Sequence, residues 1–148
     1  MSDATTGTAG GLPPVIMVDD SSIDAVVARQ CHKLSELPHE FIVFESGTRF
    51  LAHLEEIGAG SAPMPLVVLL DINMPGMNGF EVLETVRSRE AFLEIPVIVM
   101  LTNSDRSQDI ERATQLGADG FKTKPNVLAD YIAFFRSLPS VSPRISTS

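Results

Sequence analysis

The stretch Leu66-Val67-Val68-Leu69-Leu70-Asp71-Ile72-Asn73-Met74-Pro75-Gly76-Met77-Asn78-Gly79-Phe80-Glu81 decides the fold class. Leu66 to Leu70 is a continuous apolar run, the mark of a strand covered on both faces rather than one with a wet side. Asp71 ends the run with a charge, and Asn78 with Glu81 three residues on marks a helix start. A strand passing through a loop into a helix is the building unit of a parallel sheet.

The same alternation extends in both directions. Short apolar runs recur at Val15 to Val18, Phe41 to Phe44 and Val97 to Leu101, with a weaker one at Gly120 to Lys122. Between them, residues of helical period predict inward faces: Ile23, Val26, Val27 and Leu34; Phe50, Leu51, Leu54 and Ile57; Leu83 and Val86; Ile110, Ala113 and Leu116; Leu128, Ile132 and Phe135. Gly117 is placed to cap a helix and Pro139 to stop the last one. The pattern is (βα)5, an α/β flavodoxin-like doubly wound parallel sheet of order 2-1-3-4-5. Right-handed crossovers put every β-to-α loop on one edge. The Gly/Pro-rich segment from Gly58 to Pro63 opens no helix, so no dinucleotide fingerprint is read there.

Length and composition bound the rest. A chain of 148 residues, 44% hydrophobic and 20% charged, suits a single globular domain. The first fourteen residues and the segment from Pro139 to Ser148 are rich in Ser, Thr, Gly and Pro, so tails are expected at 1–14 and 139–148 around a domain at 15–138. A net charge of −8 argues against binding to nucleic-acid backbones. One cysteine, Cys31, precludes an internal disulfide and reads as a small buried hydrophobe. No apolar run approaches the length of a membrane span, so a soluble, cytoplasmic protein is expected, with no membrane partner.

The strand ends carry the chemistry. Asp19 and Asp20 follow the first strand, Asp71 the third, Thr102 the fourth and Lys124 the fifth. Singly, each has an ordinary explanation, since Asp caps helices and Lys sits at surfaces. Jointly they occupy one edge, and in the 2-1-3-4-5 order the first and third strands are neighbours, which crowds Asp19, Asp20 and Asp71 together. Close carboxylates call for a hard divalent cation, and Mg²⁺ is the expected cofactor. A carboxylate beside that ion is a nucleophile suited to phosphoryl transfer. Asp71 is the candidate acceptor, Lys124 the fixed positive charge and Thr102 a hydroxyl donor to a phosphoryl oxygen.

These residues, with Val15 to Ser21, Leu69 to Gly79, Leu101-Thr102 and Gly117 to Pro125, resemble the receiver domain of two-component response regulators. The resemblance implies that Asp71 accepts a phosphoryl group from a phosphohistidine of a sensor histidine kinase or a histidine phosphotransfer protein. It implies that Asp20, Asp71 and the backbone carbonyl of Asn73 hold Mg²⁺ with help from Asp19, and that Thr102 and Lys124 bind the phosphoryl oxygens. It also implies that Phe121 turns inward on phosphorylation, although packing alone explains a Phe there equally well, and that the Lys124–Pro125 bond is cis.

Two departures from the family pattern stand out. Five residues between Pro96 and Thr102, one more than usual, require a bulge or a shifted strand start, with Ser104 as the fallback donor. Asn103 stands where the family prefers a small residue, which bears on phosphorylation and hydrolysis rates.

The expected output is a protein contact through the fourth helix, fifth strand and fifth helix, with Tyr131 and Phe134 as candidate contact residues; homodimerisation is left open. The chain reads as a stand-alone phosphoacceptor with at most self-phosphorylation from small donors and autodephosphorylation, not an enzyme. The alternatives are an aspartyl-phosphate phosphatase, for which Asn73 is the wrong residue at the acid/base position, and a phosphate-independent binding module of the same fold.

Overall fold

The computed structural model describes residues 11–101 and 107–139. In chain order the elements are β1 (Val15–Val18), α1 (Ser22–Ser35), β2 (Phe41–Phe44), α2 (Gly47–Gly58), β3 (Val67–Asp71), α3 (Gly79–Arg87), a 3-10 turn (Glu90–Phe92), β4 (Val97–Leu101), α4 (Ser107–Gln115), β5 (Gly120–Thr123) and α5 (Leu128–Ser137). The five strands pair in parallel in the order β2-β1-β3-β4-β5, as the alternation of runs predicts.

Residue parity along the strands divides the core into two layers. Ile16, Val18, Val68, Leu70, Val97 and Val99 face Phe50, Leu54, Leu83, Val86 and Ala113 of α2, α3 and α4. Val15, Met17, Val67, Leu69, Ile98 and Met100 face Ala28 and Cys31 of α1 and Tyr131 and Phe135 of α5. Every residue of β1, β3 and β4 is buried, which is why their sequences are apolar throughout rather than alternating.

Two expected helix faces are corrected. On α1, Ile23, Val26 and Leu34 are exposed, and the buried stripe is Ala28, Cys31 and Ser35. Small side chains on this stripe let α5 approach closely, so the larger apolar residues are left outside. On α5, Leu128 is exposed while Tyr131 and Phe135 are buried.

Local caps fix the helix starts. The Ser21 hydroxyl accepts from the Asp24 amide, and Asn78 forms a reciprocal capping box with Glu81. At the end of α4, Gly117 adopts φ +100 while its amide bonds Thr114 and the Ala118 amide bonds Ala113.

Of the two alternatives for β4, a bulge or a shifted strand start, the described residues show no bulge. Val97 to Met100 pair residue for residue with Val68 to Asp71, and Ile98 to Leu101 with Gly120 to Thr123. The Val68 amide bonds the Pro96 carbonyl at 2.8 Å, so the strand enters in register directly after the proline. Thr102, Asn103 and Ser104 lie outside the described residues.

Candidate functional site

Register creates the site. Val15, Met17 and Asp19 share one face of β1 and its extension, and Val67, Leu69 and Asp71 share the same face of β3. Because Met17 pairs with Leu69 and Val18 with Leu70, one further step places Asp19 beside Asp71. Asp19 and Asp71 are buried and Asp20 is exposed, and ligand oxygens of the three lie within 4.8 Å of one another. An all-oxygen donor set of this size suits a hard divalent cation with open positions left for water or phosphate.

Lys124 enters from the end of β5, where its amide bonds the Leu101 carbonyl at 2.7 Å. Its ammonium donates to Asp24 Oδ2 at 2.8 Å and Asp19 Oδ2 at 3.0 Å, and stands 3.5 Å from Asp71 Oδ1. Burial disfavours the charged lysine, but Asp24, Asp71 and Asp19 together outweigh it and hold the ammonium above its ordinary pKa. The Asp71 carboxyl is pushed up to about 6, first by burial and then by neighbouring Asp19, against the opposing pull of Lys124. One ammonium among three carboxylates leaves the pocket negative, which favours a further cation.

The loop after β3 is tied to the site. The Asn73 amide donates to Asp71 Oδ1 at 3.4 Å, and the Gly79 amide bonds the Ile72 carbonyl at 3.2 Å. The turn after β1 is fixed similarly, since Asp19 Oδ1 accepts from the Ser21 amide at 2.9 Å. A cleft of about 330 Å³ lined by Asp19, Asp20, Val26, Arg29 and Glu45 opens beside the carboxylates.

The structure therefore brings together Asp19, Asp20, Asp71 and Lys124, with Asn73 at the rim. Thr102 lies outside the described residues. Phe121 is 39% exposed and borders a cavity of about 230 Å³ with Lys122 and Phe134. The Lys124–Pro125 bond is trans, not cis; trans is the lower-energy isomer by about 0.5–1 kcal/mol for such bonds, and Lys124 reaches the carboxylates from it. Tyr131 is buried and stacked on Phe135 at 5.4 Å, so it belongs to the α1/α5 layer rather than an exposed contact surface. Sequence reasoning missed Asp24, the nearest partner of Lys124. The available signal was its place in the first turn of the helix that follows the Asp19-Asp20 pair, on the same loop edge as the site.

The sequence profile of the response regulator receiver domain matches residues 15–135. The chain belongs to this family. The response regulator Rcp1 of Synechocystis sp. is 30% identical over 131 residues, spanning 86% of this chain and 88% of its own. The structure of the Mn²⁺-bound form of Rcp1 superposes with a TM-score of 0.71 at 29% identity, covering 92% of this chain and 97% of that one. The phosphorylated cyanobacterial phytochrome response regulator RcpA superposes with a TM-score of 0.74 at 26% identity, covering 86% and 91%. Receiver domains serve two-component signalling: they take phosphoryl groups from histidine kinases, bind Mg²⁺ at an acidic pocket and act on downstream targets. Among the described residues, Asp19, Asp20 and Asp71 form a cluster of carboxylates whose spacing could hold a metal ion. No helix among the described residues is long and apolar enough to cross a membrane.

Proposed function

We propose that this receiver domain is a Mg²⁺-dependent phosphoacceptor whose nucleophile is Asp71. The observation that carries the reading is the placement of one buried carboxylate, Asp71, within reach of both a two-carboxylate cation site and a lysine ammonium. An Asp71 oxygen attacks the phosphorus of a phosphohistidine; the new O–P bond forms as the N–P bond breaks, and the departing imidazole takes a proton. Asp19, Asp20, Asp71 and the Asn73 carbonyl would hold the ion, which would supply positive charge to offset that of the phosphoryl oxygens. Lys124 supplies a second, fixed positive charge, and Thr102 supplies a hydroxyl. Burial of Asp71 keeps bulk water from the acyl phosphate.

The donor is a sensor histidine kinase or a histidine phosphotransfer protein, and small phosphodonors substitute for it. The output is the α4-β5-α5 face, where exposed Phe121 lies beside a cavity shared with Phe134 and where the Lys122 ammonium sits 5.6 Å over the Phe134 ring. Burial of Phe121 on phosphorylation would reshape this face for a protein partner in the cytoplasm. Incubation with acetyl phosphate tests the reading. Label that requires Mg²⁺ and is lost in Asp71→Asn supports it; label retained in that variant moves the nucleophile elsewhere.

A further inference from the structure

Asp24 makes the shortest contact to Lys124, yet the phosphoacceptor reading gives it no task. Its place in the first turn of α1 explains an acid there, because the helix dipole favours one. The dipole does not explain why the ammonium lies 2.8 Å from Asp24 Oδ2 and only 3.5 Å from Asp71 Oδ1. The lysine stands nearer to a rim carboxylate than to the proposed phosphoacceptor.

We propose that Asp24 is a positioning residue for Lys124: it holds the ammonium at the rim of the resting site and competes for it with a phosphoryl group on Asp71. The proposal rests on the reading of Asp71 as the acceptor. An ammonium has three donors, and here three carboxylates lie around it. A phosphoryl group on Asp71 adds about −1.5 to −2 of charge and three acceptor oxygens. To draw closer to those oxygens than the 3.5 Å at which it now stands from Asp71 Oδ1, Lys124 moves off the rim and gives up one of its two present hydrogen bonds, to Asp19 or to Asp24. Asp19 is buried and loses heavily if left unpaired, whereas the Asp24 side chain is 44% exposed and is readily hydrated. Asp24 is therefore the partner given up. Its hold on the lysine disfavours the phosphorylated state by the worth of a half-exposed ion pair.

The test is binding of beryllofluoride with Mg²⁺, a stable stand-in for the phosphoryl group, followed by calorimetry alongside the ¹⁵N resonance of the Lys124 ammonium. Asp24→Ala and Asp24→Asn should bind beryllofluoride about two- to five-fold tighter than wild type, the range set by one partly exposed pair. Asp24→Glu should remain near wild type. Glu45→Gln removes the same charge from the adjoining cleft without a bond to Lys124, so the resting resonance should stay in place and the excess of the Asp24→Ala gain over that of Glu45→Gln measures the contact itself. In resting Asp24→Ala the ammonium resonance should move, and with beryllofluoride bound it should coincide with wild type. Identical affinities in Asp24→Ala and Glu45→Gln, or an unmoved resting resonance in Asp24→Ala, overturn the proposal alone. A wild-type protein that takes up no beryllofluoride overturns the phosphoacceptor reading, and this proposal with it.

Discussion

A Cβ atom on Gly79 would stand 2.4 Å from the backbone carbonyl oxygen of Asp71 and 2.6 Å from the Ile72 Cα. The first residue of α3 thus presses directly on the end of β3, and the loop between them closes only over a glycine. Both obstacles are backbone, which no rotamer change relieves. Gly79→Ala should destabilise the protein by about 1–3 kcal/mol, the usual cost of overpacking, and slow labelling by small phosphodonors. Urea melts and acetyl phosphate time courses measure the two effects.

Arg87 ties the opposite edge of the sheet. Its guanidinium donates to the Gly117 carbonyl at 2.9 Å, the Phe92 carbonyl at 3.0 Å and Asp119 Oδ2 at 2.8 Å, and the same Asp119 oxygen accepts from the Val97 amide. Both side chains of the ion pair are largely buried. Arg87→Met should cost about 3 kcal/mol by removing the buried guanidinium that bonds Asp119 and two carbonyls, while Mg²⁺ affinity stays within about two-fold of wild type. Denaturant melts and metal titration separate the two effects.

How much of this was legible in sequence depends on what each residue's role required of its neighbours. The strands were legible because burial on both faces leaves an apolar run, as at Leu66 to Leu70. The carboxylate cluster was legible because parallel connections place β-to-α loops on one edge, so Asp19 and Asp71 could be paired before any coordinates. The inward face of α1 was not: large residues such as Ile23 and Val26 dominate a hydrophobicity pattern, but close packing against α5 selects Ala28, Cys31 and Ser35. Asp24 is not legible in sequence, because a first-turn acid is ordinary until the direction of the Lys124 side chain is known. Tyr131 stands among the candidate contact residues in sequence because spacing alone does not tell which side of α5 faces α1.

The raised Asp71 pKa sets the pH dependence of stability in Mg²⁺-free protein. A carboxyl at about 6 in the fold and ~3.9 in the unfolded chain binds its proton more tightly when folded. Its unfavourable contribution is absent below the unfolded value, grows as pH rises from ~4 to about 6, and is complete above that. Asp71→Asn should therefore stabilise the metal-free protein near neutral pH by about 1–3 kcal/mol, with the gain vanishing toward pH ~4. A gain that persists unchanged in acid would assign the effect to something other than the charge.

Mg²⁺ should oppose that cost. The ion requires the ionised carboxylate, so its affinity should fall steadily as pH drops through about 6. At neutral pH, saturating Mg²⁺ should raise the melting temperature of wild type, and far less that of Asp71→Asn. Thermal melts with and without chelator measure both.

The central claim is that Asp71 carries the phosphoryl group, and chemical trapping tests it most directly. After treatment with acetyl phosphate and Mg²⁺, borohydride reduction converts an aspartyl phosphate into homoserine, and peptide mass spectrometry locates it. The account predicts homoserine at position 71. Homoserine at Asp19, Asp20 or Asp24, or label that resists borohydride because it sits on a hydroxyl, would contradict it.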